Sequence, residues 1–126
     1  MTRTATSTAR RLPLVTALAG MALALTGCQT PTPSATAGGT ATAQGQVTAI
    51  DRDPWTFDGN ATMQVATGSG AVTVEIPARL NLCHAEGLDA FAGLQVGDRI
   101  HAVGQVGADG HITVCHGAGH MLHKLD

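Results

Sequence analysis

The chain ends in a segment, Val114-Cys115-His116-Gly117-Ala118-Gly119-His120-Met121-Leu122-His123, that sets three of its six histidines beside a cysteine and a methionine. Imidazoles suit zinc and copper, and the soft thioether of Met121 favours Cu(I). Spacing leaves the arrangement open. On a helix His116, His120 and His123 would share a face, but Gly117 and Gly119 make a helix costly there. On a strand His116 and His120 share a side and His123 points away, unless a bulge at either glycine resets the alternation. His84 enters the set through its neighbour, because Cys83-His84 and Cys115-His116 are twin pairs and a bond between the cysteines would draw the histidines together. The candidate metal ligands are thus His84, His116, His120, His123 and Met121, with copper or zinc as the ion. The competing reading is a histidine-bearing final strand that holds no ion and needs no cofactor.

A second candidate surface is Asp53-Pro54-Trp55-Thr56-Phe57-Asp58-Gly59-Asn60. Trp55 and Phe57, flanked by Asp58, have the makings of a stacking platform for a sugar or a grip on a peptide. The opposing reading puts one of these rings into the interior of a fold poor in aromatics. Catalysis finds little support. Cys83 and Cys115 lack the close Cys-X-X-Cys spacing of redox enzymes. Beyond the linker the only serine is Ser69, in a Gly-Ser-Gly turn and not in a nucleophile elbow. The expectation is a protein that is not an enzyme.

The elements that must hold these residues are strands. Period-2 alternation marks Gln46–Asp51, a second strand around Met63 and Val65, and a third carrying Val72, Val74 and Ile76. Leu88, Phe91 and Leu94 recur at threes and predict a short helix. A fourth strand spans Arg99–Val106, and the Asp109-Gly110 pair turns the chain into a fifth beginning at Ile112.

The order strand-strand-strand-helix-strand-strand, closed by a hairpin, resembles the OB-fold, a five-stranded Greek-key barrel. Gly45–Asp51, "GQVTAID", looks like the opening strand of small bacterial OB-type domains. Leu94–Val106, "LQVGDRIHAVGQV", looks like their fourth, with Gly104 allowing tight curvature. The stretches "DRDPWTFDGN", "IPARLNLCHA" and "ITVCHGAGH" are similar to those of uncharacterised exported OB-type lipoproteins, a likeness that implies a fold and an address but no activity. A five-stranded sandwich is the alternative architecture.

The address rests on the N-terminus. Arg3, Arg10 and Arg11 precede an apolar run from Leu12 to Leu25, the size of a signal-peptide core and too short to span a bilayer. Leu25-Thr26-Gly27-Cys28 resembles the lipobox of bacterial lipoproteins. The resemblance implies cleavage after residue 27 and acyl chains, palmitate among them, on Cys28. Two or more chains anchor stably, so the mature protein would be tethered to a membrane that it does not span. Residues 28–44 follow as the acylated cysteine and a linker without charge or aromatic side chains. Such a segment is expected to stay disordered, with a mean reach of about 20 Å. The folded domain is expected at 45–126.

Export places Cys83 and Cys115 outside the reducing cytosol, where they are expected to form a disulfide. The domain carries four basic side chains (Arg52, Arg79, Arg99 and Lys124) against all nine acidic ones. That balance repels phosphate and excludes nucleic acid as a partner. The partners expected are the membrane, through the lipid, and a protein or glycan of the bacterial cell envelope. Gln29 is not the aspartate linked to inner-membrane retention, which directs the expectation to a periplasm-facing lipoprotein of the outer membrane.

Overall fold

The computed structural model describes Thr36–Asp126. Cys28, the signal segment 1–27 and linker positions 28–35 lie outside the described residues. Six strands follow one another: β1 (Thr40–Asp51), β2 (Asn60–Thr67), β3 (Gly70–Pro77), β4 (Arg99–Val106), β5 (Ile112–Thr113) and β6 (Met121–Leu125).

The ring closes through β1. Its first half, Thr40–Gln46, pairs antiparallel with β4, and its second half, Gly45–Asp51, pairs antiparallel with β2. β2 pairs with β3, β3 runs parallel to β5, and β5 returns antiparallel to β4. The result is a closed five-stranded OB-like barrel, with β6 prolonging the fifth strand along β4. Closure covers most of the edge that a small open sheet would otherwise present.

The boundary expected at Gly45 is corrected by this pairing. Thr40–Gln44 is strand, and Ala43 is fully buried in the core. A run of Thr, Ala and Gln carries little apolar bulk, so nothing in its composition marks it as structured. Its register against β4 supplies the order instead. A register shift between Val47 and Ala49 bulges β1 at Thr48. Val47 is buried before the bulge, and Ile50 rather than Ala49 packs on the core after it. A single extra residue moves the inward face by one position.

The core gathers Phe91, Met63, Ile76, Ile100, Leu122, Val47, Val65, Val74 and Val114, all fully buried. Apart from Phe91 and Val114, these are inward-facing strand positions, so period-2 reading and burial agree for the strands. The helix predicted around Leu88–Leu94 is a 3₁₀ turn, Leu88–Gly93, that buries Leu88 and Phe91 against the barrel. Gly104 sits where β4 crosses β5. A Cβ there would meet the Thr113 carbonyl oxygen and lie 2.8 Å from Ile112 Cγ2, so only glycine allows this approach.

Cys83 and Cys115 are bonded, 32 positions apart in sequence. The bond fastens the segment after β3 to the segment between β5 and β6, and backbone bonds continue the seam. Cys115 O accepts from His84 N and Ala85 N at 3.0 and 2.9 Å, and Glu86 O accepts from Leu122 N at 2.8 Å. Constraining a loop of this length stabilises by about 3–4 kcal/mol in the chain-entropy model.

Candidate functional site

The final strand is not continuous, which changes the fate of the histidines. Between β5 and β6 the chain leaves β4 and makes a tight excursion over Val114–His120. His120 folds back into it and is buried, 6% exposed. Its Nδ1 accepts backbone N–H groups from Cys115 at 3.2 Å and Gly117 at 3.1 Å. An imidazole nitrogen that accepts two amides carries no proton, so the neutral ring holds its proton on Nε2. Neither nitrogen then offers a lone pair to a metal. Burial, and secondarily the neighbouring His116, hold the His120 pKa below its ordinary value of 6.5. Gly117 leaves room for the ring, since any Cβ there would fall on it.

The other members of the expected ligand set are dispersed. The disulfide does bring His84 and His116 near each other, with ring centroids 6.4 Å apart and planes inclined at 58°. Both are exposed. His123 stands on β6 across from His101 and 3.8 Å from Glu86 Oε1. Met121 opens β6 opposite Val103. Among the described residues these histidines do not converge with a third imidazole or carboxylate. The proposed ligand set His84, His116, His120, His123 and Met121 is therefore corrected: the sequence crowds these residues, and the excursion separates them.

Of the two readings of the Trp55 loop, the structure shows the one that turns a ring into the interior. Asp53–Phe57 forms a 3₁₀ turn opened by Pro54, whose fixed φ suits a first-turn position. Trp55 is turned inward. Its ring lies 5.1 Å from that of Phe91, centroid to centroid, and its Nε1 donates to Ile76 O at 2.8 Å. Arg52 completes the lid, with its guanidinium 4.8 Å from the Phe91 centroid and Nη2 donating to Phe91 O and Leu94 O at 2.9 and 2.8 Å. Those two carbonyls end the Leu88–Gly93 turn. Trp55, Phe91 and Arg52 thus close one end of the barrel. Trp55 is a structural plug and not a stacking platform. Phe57 remains 87% exposed, and Asp58 pairs with Arg79 at 3.1 Å.

The opposite end of the barrel is open. β1 meets β2 only from Gly45 onward, so Thr40–Gln44 has β4 on one edge and no strand on the other among the described residues. β3 meets β5 only at Val74 and Glu75, leaving Ala71–Thr73 unpaired on that edge. Between these edges lies a cavity of about 610 Å³ whose wall includes Ala41, Gln44, Val72, Thr73, Asp109 and His111. Among the described residues no lysine or arginine lines it.

Beside it three polar side chains converge that share no local signal in the sequence. His111 Nδ1 lies 2.7 Å from Glu75 Oε1 and 3.2 Å from Asp109 Oδ2. Glu75 comes from β3, while Asp109 and His111 flank Gly110 in the β4–β5 hairpin. The hairpin itself was legible from Asp109-Gly110; the parallel contact that carries Glu75 to it was not.

No protein-family model matches the chain, and no curated protein matches it.

Proposed function

We propose that this protein is a non-catalytic, lipid-anchored module of the bacterial envelope that binds an extended polypeptide segment at the open end of its barrel. One observation carries the reading: the unpaired edges of β1 (Thr40–Gln44) and β3 (Ala71–Thr73) flank the same 610 Å³ cavity. A strand edge offers backbone N–H and C=O groups that an incoming strand satisfies by β-augmentation, while neighbouring hollows take alternate side chains. The mostly small and hydroxyl-bearing wall, with no lysine or arginine among the described residues, suits a neutral chain better than a phosphorylated or nucleic-acid ligand.

Several features support a role without catalysis. Both cysteines of the barrel are bonded to each other. Ser69 lines the cavity, but its hydroxyl pairs with Thr67 Oγ1 at 3.2 Å and not with His111. The lipobox-like Leu25–Cys28 supports the anchor, and Thr40, where β1 begins, is at the open end. An anchor on Cys28 would join the barrel through β1, which begins at that end.

Photo-crosslinking from defined positions tests this. A photoreactive amino acid at Ala71, in the cavity wall, is expected to give a discrete polypeptide adduct in native envelopes; the same probe at Phe57 is expected to give none. An adduct from Phe57 alone would move the binding surface to the Trp55 end and defeat the reading. Cys28→Ser is expected to abolish membrane retention, and unchanged retention would remove the anchor.

A further inference from the structure

We infer that Glu75, Asp109 and His111 form a binding site for a divalent transition-metal ion of the zinc class. One imidazole nitrogen and two carboxylate oxygens lie within 4.8 Å of one another. They come from β3 and from the β4–β5 hairpin, distant in sequence and brought together by the parallel β3–β5 contact. Zinc takes such ligands at about 2.0–2.2 Å, which sets neighbouring tetrahedral donors about 3.3 Å apart. The observed separations from Nδ1, 2.7 and 3.2 Å, need only small side-chain rotations to accept the ion.

The charge at the cluster asks for a cation. Two carboxylates converge on one imidazole, which neutralises at most one of them. Among the described residues no lysine or arginine pairs with either, the two such ion pairs being Arg79–Asp58 and Lys124–Asp98. The Glu75 side chain is only 17% exposed, so water screens its charge poorly.

Each carboxylate is also held from behind, the usual arrangement around metal ligands. Asn60 Nδ2 donates to Glu75 Oε2 at 3.0 Å, leaving Oε1 toward His111. The backbone N–H of His111 donates to Asp109 Oδ1 at 3.0 Å, leaving Oδ2 toward the ring. A mixed nitrogen and oxygen set favours zinc over magnesium or calcium, which prefer oxygen alone. Asp109 and His111 line the cavity, so the fourth coordination position opens into it. The inference does not depend on a polypeptide ligand, since the donors converge without one.

The test uses the full chain in detergent, stripped with chelator and titrated calorimetrically with zinc chloride. The expected result is one Zn²⁺ per chain, with affinity falling about 100-fold in His111→Ala and about tenfold in Asn60→Ala. His116→Ala is expected to leave it unchanged. Trp55 emission checks that each variant is folded, and His111→Gln serves if the alanine variant is not. Absence of stoichiometric binding would overturn the inference, as would equal affinity in folded His111 variants or loss in His116→Ala. In the unsubstituted protein, zinc is expected to shift the ring resonances of His111 and not those of His84; the reverse pattern would count against the site.

Discussion

His120 Nδ1 accepts the backbone N–H of Cys115 at 3.2 Å, and Gly117 N–H reaches the same atom at 3.1 Å. A side chain thereby receives amides that an uninterrupted fifth strand would have paired with backbone carbonyls. The excursion between β5 and β6 is built around this ring. Its burial ties the fate of the loop to the ring's neutral form.

Replacing His120 with alanine leaves two amides without their acceptor and opens a cavity. A buried unsatisfied donor costs about 1–3 kcal/mol, so His120→Ala is expected to destabilise the fold by at least about 2 kcal/mol. Urea unfolding followed by Trp55 emission measures it, since Trp55 is the chain's only tryptophan.

The same ring sets a pH dependence. Its pKa in the folded state is depressed, mainly by burial and then by His116, while an unfolded histidine titrates near 6.5. Between these values the unfolded chain binds a proton that the folded chain refuses, so stability falls as pH drops below about 6.5 and levels off beneath the folded pKa. The urea midpoint of the unsubstituted protein is expected to fall between pH 7.5 and 5 more steeply than that of His120→Asn. Parallel slopes would show that the ring is not the titrating group.

The lid at the closed end makes a clean contrast. Trp55 packs on Phe91 and donates to Ile76 O, whereas Phe57 is 87% exposed. Trp55→Ala is expected to cost about 3 kcal/mol, near the low end for aromatic truncation because the ring is half-buried. Phe57→Ala is expected to stay within about 0.5 kcal/mol. As Trp55→Ala removes the fluorophore, circular dichroism follows this pair.

A chain that begins at Gly45 loses the pairing of Thr40–Gln44 with Gln105–His101 and the buried Ala43. Its thermal midpoint is expected to lie well below that of a chain beginning at Thr36, or its transition to be absent. Equal midpoints would show that the first half of β1 is dispensable.

These residues show what was readable in the sequence and what was not. Val72, Val74 and Ile76 alternate visibly, and Asp109-Gly110 announces its hairpin, because both signals are local. The Cys83–Cys115 bond was expected from compartment and count, and the bond is present. Thr40–Gln44 carries no local signal, since its order comes from a strand about sixty residues away. Nothing local separates His120 from its neighbouring histidines, because its burial depends on the chain leaving β4 after Thr113. Glu75 could not be joined to His111 without the parallel β3–β5 pairing.

Backbone amide exchange on the full chain, compared between detergent and native envelope membranes, tests the binding surface most directly. Slowed exchange at Ala41–Gln44 and Ala71–Thr73 in the envelope, with Thr56–Asp58 unaltered, is the predicted result. Unaltered exchange at both strand edges, or protection confined to Thr56–Asp58, would contradict it.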